Sequence, residues 1–238
     1  MEGDEKILEG HSDLEKGAYL GAIASIATAD RKASEEEMEY ISQLCDAADL
    51  SPQQKGSVMQ AATELSGDEL SRCLDVLKKS DLRFSLVTDL MAFAKSDENY
   101  SEEEQENVRK IAGYLGVNQQ QFSLLDQFAE KAKTSDLTPQ ETTHPDFLSS
   151  LGLKDKLQNA GISGSGLLKG LIGIAAPMIL SGMLSRGLGR GRSSAGVGGG
   201  GSGMFGGGGL SSLIGMLSGG RGFGSTGGLL GKILGGGF

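Results

Sequence analysis

The 238-residue chain is expected to be all-α: a compact seven-helix bundle with an internal pseudo-twofold repeat, followed by a glycine-rich apolar tail. Three observations predict this. Apolar residues in the first 133 positions recur at helical spacing, and no alternating strand pattern interrupts them. Ser, Asn and Pro stand where helices should start. Composition then breaks: 8 of the 39 glycines fall in 1–150 and 31 in 151–238. Charge breaks at the same place. Residues 1–150 carry 14 Lys/Arg against 30 Asp/Glu, a net of −16, and residues 151–238 carry 8 against 1, a net of +7. The expected organisation is a bundle over 1–133, a polar linker over 134–146 and a basic, apolar-patched tail over 147–238.

The first helix opens at Ser12 with Glu15 three residues on, a capping box, and runs to about Ala29. Leu20, Ile23, Ala24 and Ala27 form its apolar face. The second opens at Ser34 and carries Met38, Ile41, Leu44, Cys45 and Ala48. The third opens at Ser51, with Pro52 suited to the first helical position. A short fourth follows 66–69 and is expected to bury Leu70, Cys73, Leu74 and Leu77. The fifth spans about 82–96. The sixth opens at Ser101 and the seventh at Asn118. Short amphipathic helices with tight links close into a bundle.

Residues 27–54 and 94–121 align at an offset of 67. Asp30 matches Asp97, Ser34-Glu35-Glu36-Glu37 matches Ser101-Glu102-Glu103-Glu104, and Gln53-Gln54 matches Gln120-Gln121. Ile41, Leu44 and Leu50 become Val108, Ile111 and Val117. Helices one to three are thus echoed by five to seven, with the fourth as connector.

The segment Ala27-Thr-Ala-Asp30-Arg-Lys-Ala-Ser34-Glu-Glu-Glu37, repeated as Ala94 to Glu104, resembles the tellurite-resistance TerB-like family over roughly 12–133. The resemblance implies an all-helical domain with a duplicated Asp-Gly-x-x-Ser-x-x-Glu turn. It carries Asp30, Ser34 and Glu37 over from the first turn, and Asp97, Ser101 and Glu104 from the second. The glycine after Asp is replaced here by Arg31 and Glu98. The family is associated with metal and oxyanion stress, often at the membrane, and its acidic turns have been proposed as metal sites.

Two readings of these turns stand side by side. Asp97, Glu98 and Glu104, and after them Asp30 and Glu37, offer carboxylate oxygens suited to calcium, magnesium or manganese. Glu37 lies four residues before Ile41, on the edge of the buried stripe. Arg31 weakens the first turn as a cation site and Glu98 strengthens the second. The structural reading is a capping box, in which Ser34 and Ser101 cap and Glu37 and Glu104 reach back. An EF-hand is rejected, because Ile41 and Val108 stand where its bidentate Glu belongs.

No catalytic constellation is legible, so the chain is expected not to be an enzyme. His11 and His144 are isolated, and Cys45 and Cys73 lie on apolar stripes. His144-Pro145-Asp146 matches the J-domain tripeptide, but no Arg/Lys-rich helix precedes it. No strand or Gly-Lys-Ser/Thr accompanies the glycines, which excludes a phosphate loop. The acidic half disfavours nucleic acid as a partner. Two cysteines and an acidic start without an apolar run point to the cytoplasm.

A short helix is expected within 147–159. The uncharged run at 170–185 is 16 residues, against roughly 20 needed to span a bilayer. Apolar patches at Leu171–Leu184, Leu210–Leu217 and Leu229–Leu234 alternate with basic residues. Such a tail suits an anionic membrane surface, peripherally on the inner membrane, or else self-association or a protein partner. The expected function is a non-enzymatic TerB-like domain in metal or oxyanion stress, tethered by its tail. The alternative is a scaffold protein whose tail drives assembly.

Overall fold

The computed structural model describes residues 6–27, 35–63, 68–96, 102–133 and 146–172. Those residues form ten helices and contain no strand. Seven of them fall where the apolar periodicity puts them: α1 (Asp13–Ala27), α2 (Glu35–Ala47), α3 (Pro52–Ala61), α4 (Asp68–Leu77), α5 (Leu82–Ser96), α6 (Glu102–Tyr114) and α7 (Gln119–Lys133). Three more follow: α8 (Asp146–Ser150), α9 (Lys154–Asn159) and α10 (Gly164–Gly170).

The start signals act as the chemistry demands. Ser12 N–H donates to Glu15 Oε2 at 3.0 Å, and Glu15 N–H donates to Ser12 Oγ at 3.3 Å, the reciprocal box. Ser51 caps α3 by accepting from Gln54 N–H. Asn118 and Gln121 form a second reciprocal box at α7, with bonds of 3.0 and 2.9 Å.

The repeat is structural as well as textual. α2 and α6 start 67 residues apart, and so do α3 and α7. α2 ends in a left-handed residue, Asp49, with Leu50 N–H donating to Cys45 O. α6 ends the same way at the equivalent place, with Gly116 left-handed and Val117 N–H donating to Ala112 O. α1 packs on α2 and α3, as α5 packs on α6 and α7. The two halves meet where α1 contacts α5.

One core unites these helices. Tyr19, Ile23, Leu44, Val58, Leu74 and Phe84 are buried in it. Each such side chain contributes about 1.5–3 kcal/mol relative to exposure. Cys45 is fully buried, whereas Cys73 is half-buried against Gly21 rather than sealed in the core. Space is short there: a Cβ on Gly21 would stand 2.9 Å from Cys73 Sγ, so a side chain at position 21 would force Cys73 to shift.

The packed body extends beyond the boundary expected at 133. Phe147, Leu148, Leu157, Leu167, Leu171 and Ile172 are buried in the same core. Phe147 meets Phe128 of α7 edge-on, with ring centroids 6.0 Å apart. Gln121 Nε2 donates to Ala160 O and Lys131 Nζ to Leu151 O. The stretch 146–172 therefore belongs to the body and not to the tail. Its composition conceals this, because Gly152 and Gly161 serve as left-handed helix ends rather than as flexible cord. The first apolar patch accordingly begins in the core, at Leu171 and Ile172. Its remainder and the patches at 210–217 and 229–234 lie outside the described residues.

Candidate functional site

Helix starts fix where the two acidic turns fall. α2 begins at Glu35 and α6 at Glu102, directly after Ser34 and Ser101. Glu37 and Glu104 are thus the third residues of their helices, the position from which a capping-box glutamate reaches back. The partial positive charge of a helix N-terminus favours carboxylates there. Asp30, Asp97 and Glu98 lie outside the described residues, as do the side chains of Glu37 and Glu104. Among the described residues, no group of three or more His, Cys, Asp or Glu is placed to hold a metal ion.

Asn107 lies one turn beyond Glu104 in α6. Its side chain is buried, and its Nδ2 has no hydrogen-bond partner among the described residues. Leaving a buried amide unpaired costs about 1–3 kcal/mol. The repeat counterpart of Asn107 is Tyr40, half-buried, whose hydroxyl is pushed above its ordinary pKa by burial.

A buried polar cluster, which sequence reasoning missed, stands at the centre of α5. Asp89 is 1% exposed. It accepts from Tyr19 Oη of α1 at 2.6 Å and from the backbone N–H of Ile172 at 3.0 Å. Burial, then the Asp89 charge and hydrogen bond, push the Tyr19 hydroxyl well above its usual pKa, so it stays a donor. One turn earlier on α5, Ser85 Oγ donates to Leu167 O at 3.0 Å. One carboxylate thus joins both halves of the repeat to the end of the docked segment. A lone acid inside the apolar run Leu86-Val-Thr-Asp-Leu-Met91 was the available signal.

Burial pushes the Cys45 thiol up to about 12, so it stays protonated and unreactive. Burial lowers the His11 pKa, with Glu15 and Asp81 opposing. His144 lies outside the described residues.

Residues 16–127 match the family model for tellurite resistance protein TerB. This segment is a TerB-like domain. The match begins in α1 and ends in α7, so it takes in both acidic turns and stops short of the docked segment. Neither the curated proteins nor the solved structures hold a match to the chain. Among the described residues, no helix is long and apolar enough to cross a membrane.

Proposed function

We propose that the chain is a non-enzymatic TerB-like protein of a bacterial metal- or oxyanion-stress system, held at a membrane surface or complex by its glycine-rich tail. The family match over 16–127 carries this reading. The division of charge supports the tether. The part through Ile172, with net charge −14, is repelled by anionic lipid, while the tail beyond it, with +5 and the remaining apolar residues, is drawn to it. Each basic residue near such a surface contributes about 1 kcal/mol.

Flotation with anionic vesicles tests the tether, using the full chain beside a chain ending at Ile172. The full chain floats and the shortened one stays behind. If both stay in the soluble fraction and the full chain forms large lipid-free particles, the tail is an assembly element. Growth of bacteria expressing either chain in tellurite tests the stress role: protection that requires the tail supports it, and no protection from either chain removes it.

Divalent binding is a subordinate part of the proposal. Weak responses to calcium, magnesium or manganese are expected at Asp97, Glu98 and Glu104 before Asp30 and Glu37, because Arg31 offsets charge in the first turn. Chemical shifts during titration decide. A stronger response around Asp30 reverses the ranking, and no response leaves the capping role alone.

A further inference from the structure

Residues 6–11 cross the end of α2 before α1 begins. Ile7 N–H donates to Ala47 O at 3.3 Å, and Lys6 Nζ donates to Asp49 Oδ2 at 2.6 Å. The side chains of Ile7 and Leu8 are buried in the common core. The last carbonyls of a helix lack partners within it, so this strap caps α2. Lys16 of α1 adds a donor to the next carbonyl, Ala48 O.

The strap holds against its own backbone. Leu8 is left-handed, with φ 57°. In that region the Cβ of an L residue crowds the following carbonyl oxygen, which is why a bulky side chain is an outlier there. His11 N–H closes the turn by donating to Leu8 O at 3.4 Å. Strain of this kind persists only where the surroundings over-determine it. The contacts that oppose it include the Ile7 bond, two buried side chains and the ion pair. That pair is open to solvent, with Lys6 47% and Asp49 66% exposed, so salt weakens it.

The second half of the repeat meets the same need without strain. At the offset of 67, Ile7, Leu8 and Ala47 correspond to Leu74, Asp75 and Tyr114. Tyr114 Oη donates to Asp75 Oδ1 at 2.6 Å, so the end of α6 is held by α4. α4 is a regular helix of 10 residues packed on α1. The strap is a short turn at the start of the described chain, where local opening concentrates.

We infer that Lys6–His11 is a spring-loaded strap that opens as a unit while the body stays folded, and that its opening loosens the end of α2 in the first half alone. The Lys6–Asp49 pair is its ionic catch, so ionic strength sets how often it opens. On release Ala47 O loses its donor and Asp49 its cation. The left-handed exit of α2 at Asp49, closed by Leu50 N–H donating to Cys45 O, then frays. The first half of the repeat thereby has an adjustable second helix where the second half has a fixed one. The strap is independent of the stress-response reading, as neither lipid nor metal enters it.

Native-state amide exchange of the full chain, followed by NMR at about 0.01 M and about 1 M salt, tests the strap. Rates are taken relative to those of the unfolded chain. The amides of Ile7 and Leu50 are expected to exchange at least about tenfold faster than those of Leu20 and Ile23 within α1. They quicken by about twofold or more at high salt, and Lys6→Met removes that response. Val117 N–H, which makes the bond equivalent to that of Leu50, is the control and holds its rate. Leu8→Ala and Leu8→Gly separate strain from packing. Both lose the buried side chain, but only alanine keeps the strain, so the glycine strap opens about threefold less often. Strap amides that exchange only together with the interior of α1 overturn the inference. So do equal salt responses at Leu50 and Val117, or an alanine strap closed as often as the glycine one.

Discussion

Tyr19→Phe removes one oxygen atom from the centre of the molecule and almost nothing else. The ring keeps its volume, so the core keeps its packing. What is lost is the 2.6 Å bond to Asp89, a carboxylate that is 1% exposed. A hydrogen bond to a charged group contributes about 1.5–3 kcal/mol, and burial places this one toward the upper end. For a body of this size each kcal/mol moves the melting temperature by roughly 2–4 °C, so a fall of roughly 4–10 °C is expected. Tyr114→Phe is the matched control. Its hydroxyl donates to Asp75 at the same 2.6 Å, but at an exposed site, and its loss is expected to cost less than about 1 kcal/mol. Differential scanning calorimetry of the full chain at neutral pH measures both. Equal losses, or a Tyr19→Phe change below about 0.5 kcal/mol, would show that the buried carboxylate does not depend on its tyrosine.

Ser12→Ala breaks the capping box of α1 and is expected to cost about 1 kcal/mol at neutral pH, read by urea melting. Hydrogen bonds from the Ser12 hydroxyl first, then from Ser80 and the Ser12 N–H, hold the Glu15 carboxyl down at about 2. A depressed acid stabilises the fold fully above its ordinary 4.5, and that contribution is lost as pH falls through about 2. Melting temperature against pH should therefore drop across this window in the parent and less steeply in Ser12→Ala. A thiol reagent followed by mass spectrometry should label half-buried Cys73 before buried Cys45 in the folded chain and both together in denaturant. A chain ending near Ser135 should remain helical by circular dichroism but melt lower than one ending at Ile172, because it exposes the faces that cover Phe147, Leu167 and Ile172. Equal melting of the two would remove 146–172 from the cooperative body.

Helices whose ends are written in local chemistry were legible in the sequence. Ser12, Ser51 and Asn118 each fix a start through a side chain that accepts from the backbone N–H three residues on. The offset of 67 followed from the same local signals, and it reappears in the paired left-handed ends at Asp49 and Gly116. The docked segment was not legible, because glycine carries opposite meanings that composition cannot separate. Gly152 and Gly161 end helices, and Gly170 admits a neighbouring helix, yet all three read as tail. Ser163 capping Gly166 N–H was a visible start signal in that stretch. Asp89 escaped for a different reason. Its partners lie 70 and 83 residues away in sequence, so the apolar run around it could mark the acid as buried but could not name what it bonds. For the acidic turns, the helix starts place the backbone of Glu37 and Glu104, but the side chains that decide between cap and ligand lie outside the described residues.

The bond from Ile172 to Asp89 also determines how the chain bears load. Traction applied at Ile172 meets its bond to Asp89. From there it passes through one carboxylate into the middle of α5 and through Tyr19 into α1. The pull is thus shared by the central helix of each half instead of peeling a terminal helix from the surface. The anchorage also places Leu171 and Ile172 of the uncharged run in the core. Of the uncharged run, only 173–185 remains beyond the pinned residue, 13 positions. Wound as a helix that length is about 20 Å, two-thirds of the roughly 30 Å hydrocarbon layer.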